Sequence, residues 1–294
     1  MGKVSYTKRD MSGMVVVITG ATRGIGLEAA KGIATTGAEM IVVGRSDERL
    51  DALVAELESI EGHGSIHPEK CDLLSQREVH DLAKRIEARV DRLDVLVNNA
   101  GAIFTKRIES EDGFERTWAL NHNAYFLLTS LLKDMLVKTP GSRVVNTASD
   151  AHKGGKMRWS DLQYERKGMR GGWSPYCQSK LANVLFTREL ARKLEGTDTT
   201  ANCIHPGFVN TGFSRNNGSL GRLMMLITWP VQRNSKRGAE GLVYLTTSEE
   251  AASLNGEYLY NCKPHWSTRA SRDLEAASRL WELSLEMTDT SSHW

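Results

Sequence analysis

The chain has 294 residues, 40% hydrophobic and 25% charged, with 26 glycines against 6 prolines, a globular composition that excludes disorder. Its 38 basic and 36 acidic side chains leave a formal charge of +2, which excludes a general attraction to nucleic acid or anionic membrane and makes any basic site local. Cys71, Cys177, Cys203 and Cys262 are far apart, so no zinc site, no other metal centre and no disulfide framework is expected, and a reducing compartment is.

The first ten residues are polar and charged and lack the apolar core of a signal peptide; no stretch reaches the length of a membrane span. The expectation is a cytoplasmic protein, with peripheral membrane association left open. From there β-branched runs alternate with helical patterns, as in repeated βα units around a parallel sheet buried on both faces. Strands are expected at Met14–Thr19, Glu39–Val43, Ser65–Lys70, Val95–Val97, Arg143–Thr147, Thr200–Ile204 and Glu257–Tyr260. Residues 1–294 read as one domain.

After the first strand comes Thr19-Gly20-Ala21-Thr22-Arg23-Gly24-Ile25-Gly26, leading into a helix expected from about Leu27. Glycines let the backbone turn sharply and approach a pyrophosphate, and a helix N-terminus offers unpaired N–H groups to the anion. The spacing is Gly-x-x-x-Gly-x-Gly, which departs from the commoner dinucleotide fingerprint and points to a particular subgroup of Rossmann-type proteins. The second strand ends in Gly44-Arg45-Ser46, where an NAD-selective site would place an acid. Arg45, with Arg23 as a second cation, can make charge-assisted bonds to a 2′-phosphate, so NADP(H) is expected over NAD(H). The alternative is that Arg45 is a solvated helix-entry residue.

Further strand ends carry Asp72-Leu73, Asn98-Asn99-Ala100-Gly101 and Ala148-Ser149, where an open α/β sheet binds its ligand. Residues 151–173 form a basic insertion bordering the site. Ser174 and Pro175 then resemble an N-cap and first helical position, starting a helix at Tyr176. On that helix Lys180 lies four residues from Tyr176, close enough to favour the phenolate. Such a pair also occurs by chance on amphipathic helices, so its weight depends on its companions. Leu181, Val184, Leu185 and Leu190 on the same helix are either core or subunit interface. Beyond the sixth strand, residues 212–234 combine loop chemistry with the apolar run Leu223–Trp229. Three readings stay open: a substrate lid, an interfacial segment and a buried helix.

The glycine loop, Asn98-Asn99-Ala100-Gly101, Ser149 and Tyr176-x-x-x-Lys180, in this order, resemble the short-chain dehydrogenase/reductase family over nearly the whole chain. The implied fold is a single Rossmann-type, doubly wound parallel α/β sheet of about seven strands with helices on both faces. The resemblance makes Tyr176 the proton donor or acceptor, Ser149 the group that binds the substrate oxygen, and Asn121 the residue that holds a water in a proton relay. Lys180 would bind the nicotinamide ribose and lower the Tyr176 pKa. Cofactor contacts carried over in the same way are Gly20, Thr22, Arg23, Gly24, Ile25 and Gly26 in the loop, Asp72 and Leu73 at the adenine, and Asn99, Ala100 and Gly101 at the adenosine. Pro206, Gly207, Val209 and Thr211 would face the carboxamide.

Within the family the nearest likeness is to the retinol dehydrogenase-like group, through Asn121-His122, Ser179–Thr187, His205-Pro206-Gly207 and the tail Ala276–Ser284. Asn123-Ala124-Tyr125 departs from that group's pattern, so retinoids are not assumed as substrates. The implied activity is NADP(H)-dependent hydride transfer to or from a lipophilic alcohol or carbonyl, as an alcohol dehydrogenase or carbonyl reductase, with a homo-oligomer permitted. Two rival readings are weighed. A catalytically silent NADP(H) sensor or scaffold would typically have lost Tyr176, Lys180 or Ser149; a nucleotide-sugar epimerase or dehydratase would carry a different glycine spacing and a larger C-terminal domain. His205 reads as a structural strand-end residue and His152 as a flexible insertion residue, neither catalytic.

Overall fold

The computed structural model describes residues 6–207 and 235–294. Val209, Thr211 and the 212–234 segment lie outside the described residues. The strands are β1 (Val15–Thr19), β2 (Glu39–Gly44), β3 (Ile66–Lys70), β4 (Val95–Asn98), β5 (Arg143–Thr147), β6 (Thr200–His205), β7 (Tyr258–Tyr260) and β8 (Lys263–Pro264). They form one sheet in the order β3-β2-β1-β4-β5-β6-β7-β8. Every pairing from β3 to β7 is parallel, and β8 runs antiparallel to β7.

Strand alternation sorts the side chains into two core layers, as a sheet covered on both faces requires. Val15, Val17, Ile41, Val43, Leu96 and Val144 enter one layer, with the helices Gln76–Arg89, Ala124–Leu131, Trp173–Lys193 and Leu274–Thr288. Val16, Ile18, Met40, Val42, Val95, Val97 and Val145 enter the other, under Gly24–Ala34, Asp47–Glu58 and Ser235–Thr247. Pro68 in β3 fits because that strand is a sheet edge, where a missing N–H breaks no ladder. The strand order reverses between β1 and β4, which opens a crevice at their carboxyl ends.

Two sequence expectations change here. The sheet has eight strands instead of about seven, because Asn261 and Cys262 take positive φ (52° and 58°) and turn the chain back into an antiparallel edge hairpin. The stripe on the tyrosine helix is core within this chain. Leu181 and Leu185 pack with Ala277 and Leu280 of the terminal helix, Val184 with Cys203 and Tyr258, and Leu190 with Trp281 and Leu285. Full burial of a leucine contributes about 1.5–3 kcal/mol, so the terminal helix fixes the tyrosine helix firmly. Among the described residues no helix is long and apolar enough to cross a membrane.

Candidate active site

A cleft of about 320 Å³ follows the carboxyl ends of the strands from the glycine loop to Tyr176. At the loop end, Gly20 has φ +65° and a Cβ there would lie 2.8 Å from the Ala100 Cα. A Cβ on Gly26 would lie 2.2 Å from the Gly20 carbonyl oxygen and 2.6 Å from Asn99 Nδ2. Helix and loop can approach this closely only without side chains. The helix begins at Gly24 instead of near Leu27, so Gly24, Ile25 and Gly26 supply the unpaired N–H groups of its first turn beside the cleft.

Asn99 locks this loop to the turn after β4. Its Nδ2 donates to the carbonyls of Thr19 (3.0 Å) and Gly20 (3.3 Å), and its N–H donates to Thr19 Oγ1 at 2.9 Å. Thr22, Asp72, Leu73, Ala100 and Gly101 line the same cleft. Arg23 and Arg45 also line it and are exposed, and Arg49, exposed and four residues after Arg45, joins them. Arg49 was missed from sequence; its spacing, one helical turn beyond Arg45, was the available signal. Neither Arg45 nor Arg49 has an acidic partner among the described residues. A side-chain-free cradle, helix N–H groups and exposed cations together fit an anionic dinucleotide.

At the other end the working groups are side chains. The tyrosine helix starts at Trp173, not at Tyr176, and its N-cap is Gly172, not Ser174. The reason is steric: Gly172 has φ +82°, and a Cβ there would lie 2.2 Å from the Phe104 carbonyl oxygen. Tyr176 remains in the first turn. Lys180, 2% exposed, donates from Nζ to the Thr147 carbonyl at 2.8 Å. Asn183 Nδ2 donates to that carbonyl at 3.2 Å, and Nζ lies 5.8 Å from the ring centres of both Tyr176 and Tyr125. Behind the lysine, Asn98 Nδ2 donates to Asn146 Oδ1 (2.9 Å) and Asn146 Nδ2 to Thr187 Oγ1 (3.0 Å). Sequence reading assigned no role to Thr147, Asn146 or Asn183; asparagines inside otherwise apolar elements were the signal.

Asn121 sits in a π-helical turn, Ala119–Asn123, which runs into the helix Ala124–Leu131. Such wide turns are frequent at functional sites. Its Nδ2 donates to the Ala102 carbonyl and to Ser179 Oγ, each at 3.0 Å, and its Oδ1 accepts the Ala102 N–H at 2.9 Å. Asn121 therefore fixes the Gly101-Ala102 backbone beside Lys180. Ser149 lies two residues beyond β5, capping the turn Asp150–Gly154, and its hydroxyl hydrogen-bonds the Tyr176 phenol. His122 is buried with Nε2 2.8 Å from Ser284 Oγ, and burial pushes its pKa down to about 3, so it is neutral.

The electrostatics correct one expectation. Burial pushes Tyr176 up to about 12, with Ser149's hydrogen bond opposing it. Burial pushes Lys180 down to about 7. The expected lowering of Tyr176 by Lys180 is therefore outweighed in the protein alone, because desolvation penalises both charged forms. Cys177 is buried and pushed up to about 11 by desolvation, which leaves an inert thiol.

Beyond Tyr176 the lining is apolar: Ile103, Phe104, Leu120 and Trp173. Trp173 is 44% exposed, and its ring centre lies 5.8 Å from that of Tyr176. The adjoining 151–173 stretch is packed, with Leu162, Tyr164 and Met169 buried. The Asp161 carboxylate organises it by accepting the N–H groups of Glu165, Arg166 and Lys167 at 2.8–3.2 Å. His152 is buried and not flexible, because its Nδ1 donates to the Ser149 carbonyl at 2.7 Å. Pro206 and Gly207 line the cleft opposite. Among the described residues no His/Cys/Asp/Glu group could hold a metal.

The family model for short chain dehydrogenases matches residues 14–219. The chain is 36% identical over 286 residues to retinol dehydrogenase 12 of Homo sapiens, across 97% of this chain and 90% of that protein. A crystal structure of an uncharacterized protein from Mycobacterium paratuberculosis superposes with a TM-score of 0.77 at 28% identity, covering 96% of each chain. A short chain dehydrogenase from Burkholderia cenocepacia, solved in complex with NADP, superposes with a TM-score of 0.67 at 27% identity, covering 85% of this chain and 96% of that one.

Proposed function

The chain belongs to the short chain dehydrogenase family of nicotinamide-dependent oxidoreductases, and from that premise we propose that it is an NADP(H)-dependent alcohol dehydrogenase or carbonyl reductase acting on a lipophilic substrate. The observation that carries this reading is one cleft with a side-chain-free anion cradle at one end and Ser149, Tyr176 and Lys180 at the other, with Asn121 buried behind them on Ala102 and Ser179. The bound nicotinamide supplies or accepts a hydride; this chain's residues bind, orient and move the proton.

Gly20, Thr22, Arg23, Gly24, Ile25 and Gly26 would hold the pyrophosphate, and Asp72, Leu73, Asn99, Ala100 and Gly101 the adenosine side. Arg45, with Arg49, would meet the 2′-phosphate, which favours NADP(H). Lys180 would hold ribose hydroxyls. Pro206 and Gly207, with Val209 and Thr211, would hold the carboxamide. An NADP complex of a superposable relative supports the phosphate reading.

With its pKa pushed up to about 12, Tyr176 is protonated at neutral pH and poised to donate to a carbonyl oxygen that gains negative charge. The Ser149 hydroxyl donates to the same oxygen. A charged Lys180 stabilises the phenolate left behind. Asn121 holds the Gly101-Ala102 backbone in register with the lysine and takes the relay position. The wall of Ile103, Phe104, Leu120 and Trp173 favours an apolar substrate body.

The test is NADPH oxidation and NADP reduction with long-chain aldehydes, retinoids, steroids and small ketones, run with and without detergent and lipid vesicles, and repeated with NADH. The expected result is turnover of lipophilic carbonyls with NADPH above NADH. A thermal shift with NADPH and no turnover across the panel would favour the silent sensor, and an NADH preference would overturn the role of Arg45.

A further inference from the structure

One imidazole joins the two walls of the catalytic end. His205, the last residue of β6, is 6% exposed. Its Nδ1 accepts the N–H of Asp150 at 3.2 Å and the N–H of Gly207 at 3.3 Å. Two N–H donors converging on one ring nitrogen require that nitrogen to carry no proton. Asp150 directly follows Ser149, and Gly207 lies two residues beyond β6; Ser149 and Gly207 both line the cleft.

The remainder of the Asp150 turn is already fixed. Its carboxylate accepts from the Tyr258 hydroxyl at 2.8 Å and lies 2.8 Å from Lys153 Nζ. The Ser149 carbonyl accepts from His152. The His205 ring is stacked on Tyr260 with centres 5.2 Å apart and planes 20° apart, which aims Nδ1 at the two N–H groups.

Building on the oxidoreductase reading above, we propose that neutral His205 is a positioning residue, a clamp that sets the Ser149 loop and the Pro206-Gly207 turn at a fixed separation for cofactor and substrate. Protonation replaces the shared acceptor by a third donor, and the Asp150 and Gly207 N–H groups lose their common acceptor at once. The clamp is thus built to open in acid.

Several titratable or charged groups surround it. The Asp150 turn contributes Asp150, His152 and Lys153. β7 contributes Tyr258 and Tyr260, with His265 packed on Tyr260 at 5.3 Å between ring centres. The helix Ser235–Thr247 brings Arg237 and Glu240 to the small cavity that His205 also lines. Burial lowers His152 from its ordinary value, and His152 bonds a different atom, the Ser149 carbonyl.

The variants are His205→Asn, whose Oδ1 keeps an acceptor that does not titrate, and His205→Phe, which keeps a ring and loses the acceptor. NADPH binding by fluorescence titration and steady-state turnover are measured from about pH 8 to about pH 5.5, the span over which an ordinary histidine changes charge. At the upper pH, His205→Phe is expected to weaken NADPH binding and lower kcat by about 5- to 10-fold each, the effect of about 1 kcal/mol per orphaned N–H. His205→Asn is expected to stay within about 3-fold of wild type in both. As pH falls, wild type loses NADPH affinity and turnover relative to His205→Asn, the charging of Lys180 being common to both.

His205→Phe binding NADPH as wild type does, or His205→Asn following the same pH profile as wild type, would overturn the clamp. If His205→Phe fails to fold, the pH response of His205→Asn decides. A wild type that turns over no substrate sinks the oxidoreductase reading alone, and the NADPH titrations still test the clamp.

Discussion

At the glycine-loop end of the cleft the contact surface is backbone and the cations are exposed; at the Tyr176 end it is side chains, and they are buried. Gly20 and Gly26 work by what they lack, and Arg23, Arg45 and Arg49 are exposed. Lys180 and Tyr176 are 2% and 9% exposed; Lys180 donates to the Thr147 carbonyl, and the Tyr176 phenol is hydrogen-bonded to Ser149. The glycine cradle of the open end can bind a large anion through backbone alone, and only its exposed arginines must be ordered. The buried end can tune proton affinity, which exposed groups cannot do in high dielectric. Binding and proton transfer should therefore fail separately.

The largest effect is expected at the cradle. Gly26→Ala places a Cβ 2.2 Å from a backbone oxygen that has no room to move, so NADPH affinity should fall by about 100-fold or more, read by fluorescence titration alongside a melting curve. Near-wild-type affinity in a folded variant would break the claim that backbone approach governs this end.

Next comes the exposed cation. Arg45→Ala should weaken NADPH by about 10-fold and leave NADH within about 2-fold, the scale of one charge-assisted contact at a solvated site. Equal losses for both cofactors would assign Arg45 to general electrostatics and not to the 2′-phosphate.

The smallest effect sharpens the buried end. Lys180, pushed down to about 7, loses its charge above that pH in the protein alone. An anionic dinucleotide favours the ammonium form, so NADPH binding above pH 7 should take up as much as one proton, and affinity should fall as pH rises through 7. Calorimetry in two buffers of different ionisation enthalpy measures the uptake. Proton release, or an affinity that rises with pH above 7, would contradict the assignment.

How far the sequence foretold this depends on the range of the interactions involved. Apolar, β-branched runs located the buried strands β1, β2, β4 and β5 to within a residue, because a sheet buried on both faces leaves few other uses for them. β8 escaped notice because its turn is Asn261-Cys262 and lacks the Asn-Gly signal. Ser174-Pro175 suggested a helix start that the positive φ of Gly171 and Gly172 moves to Trp173. The Tyr176–Lys180 pair was legible from spacing and Ser149 and Asn121 through the family resemblance; the structure puts Tyr176, Lys180 and Ser149 on one end of the cleft, with Asn121 buried behind it. Their proton affinities were not legible, since desolvation of Lys180 comes from packing by elements distant in sequence. Nor was the His205 clamp, which joins N–H groups from two separate loops.

The separation of the two ends is tested most directly by Tyr176→Phe, with NADPH binding and NADPH oxidation measured on the same preparation against a lipophilic aldehyde that wild type reduces. The account predicts binding within about 2-fold of wild type and turnover reduced by about 100-fold or more. Turnover near wild type, or binding lost together with turnover, would contradict it.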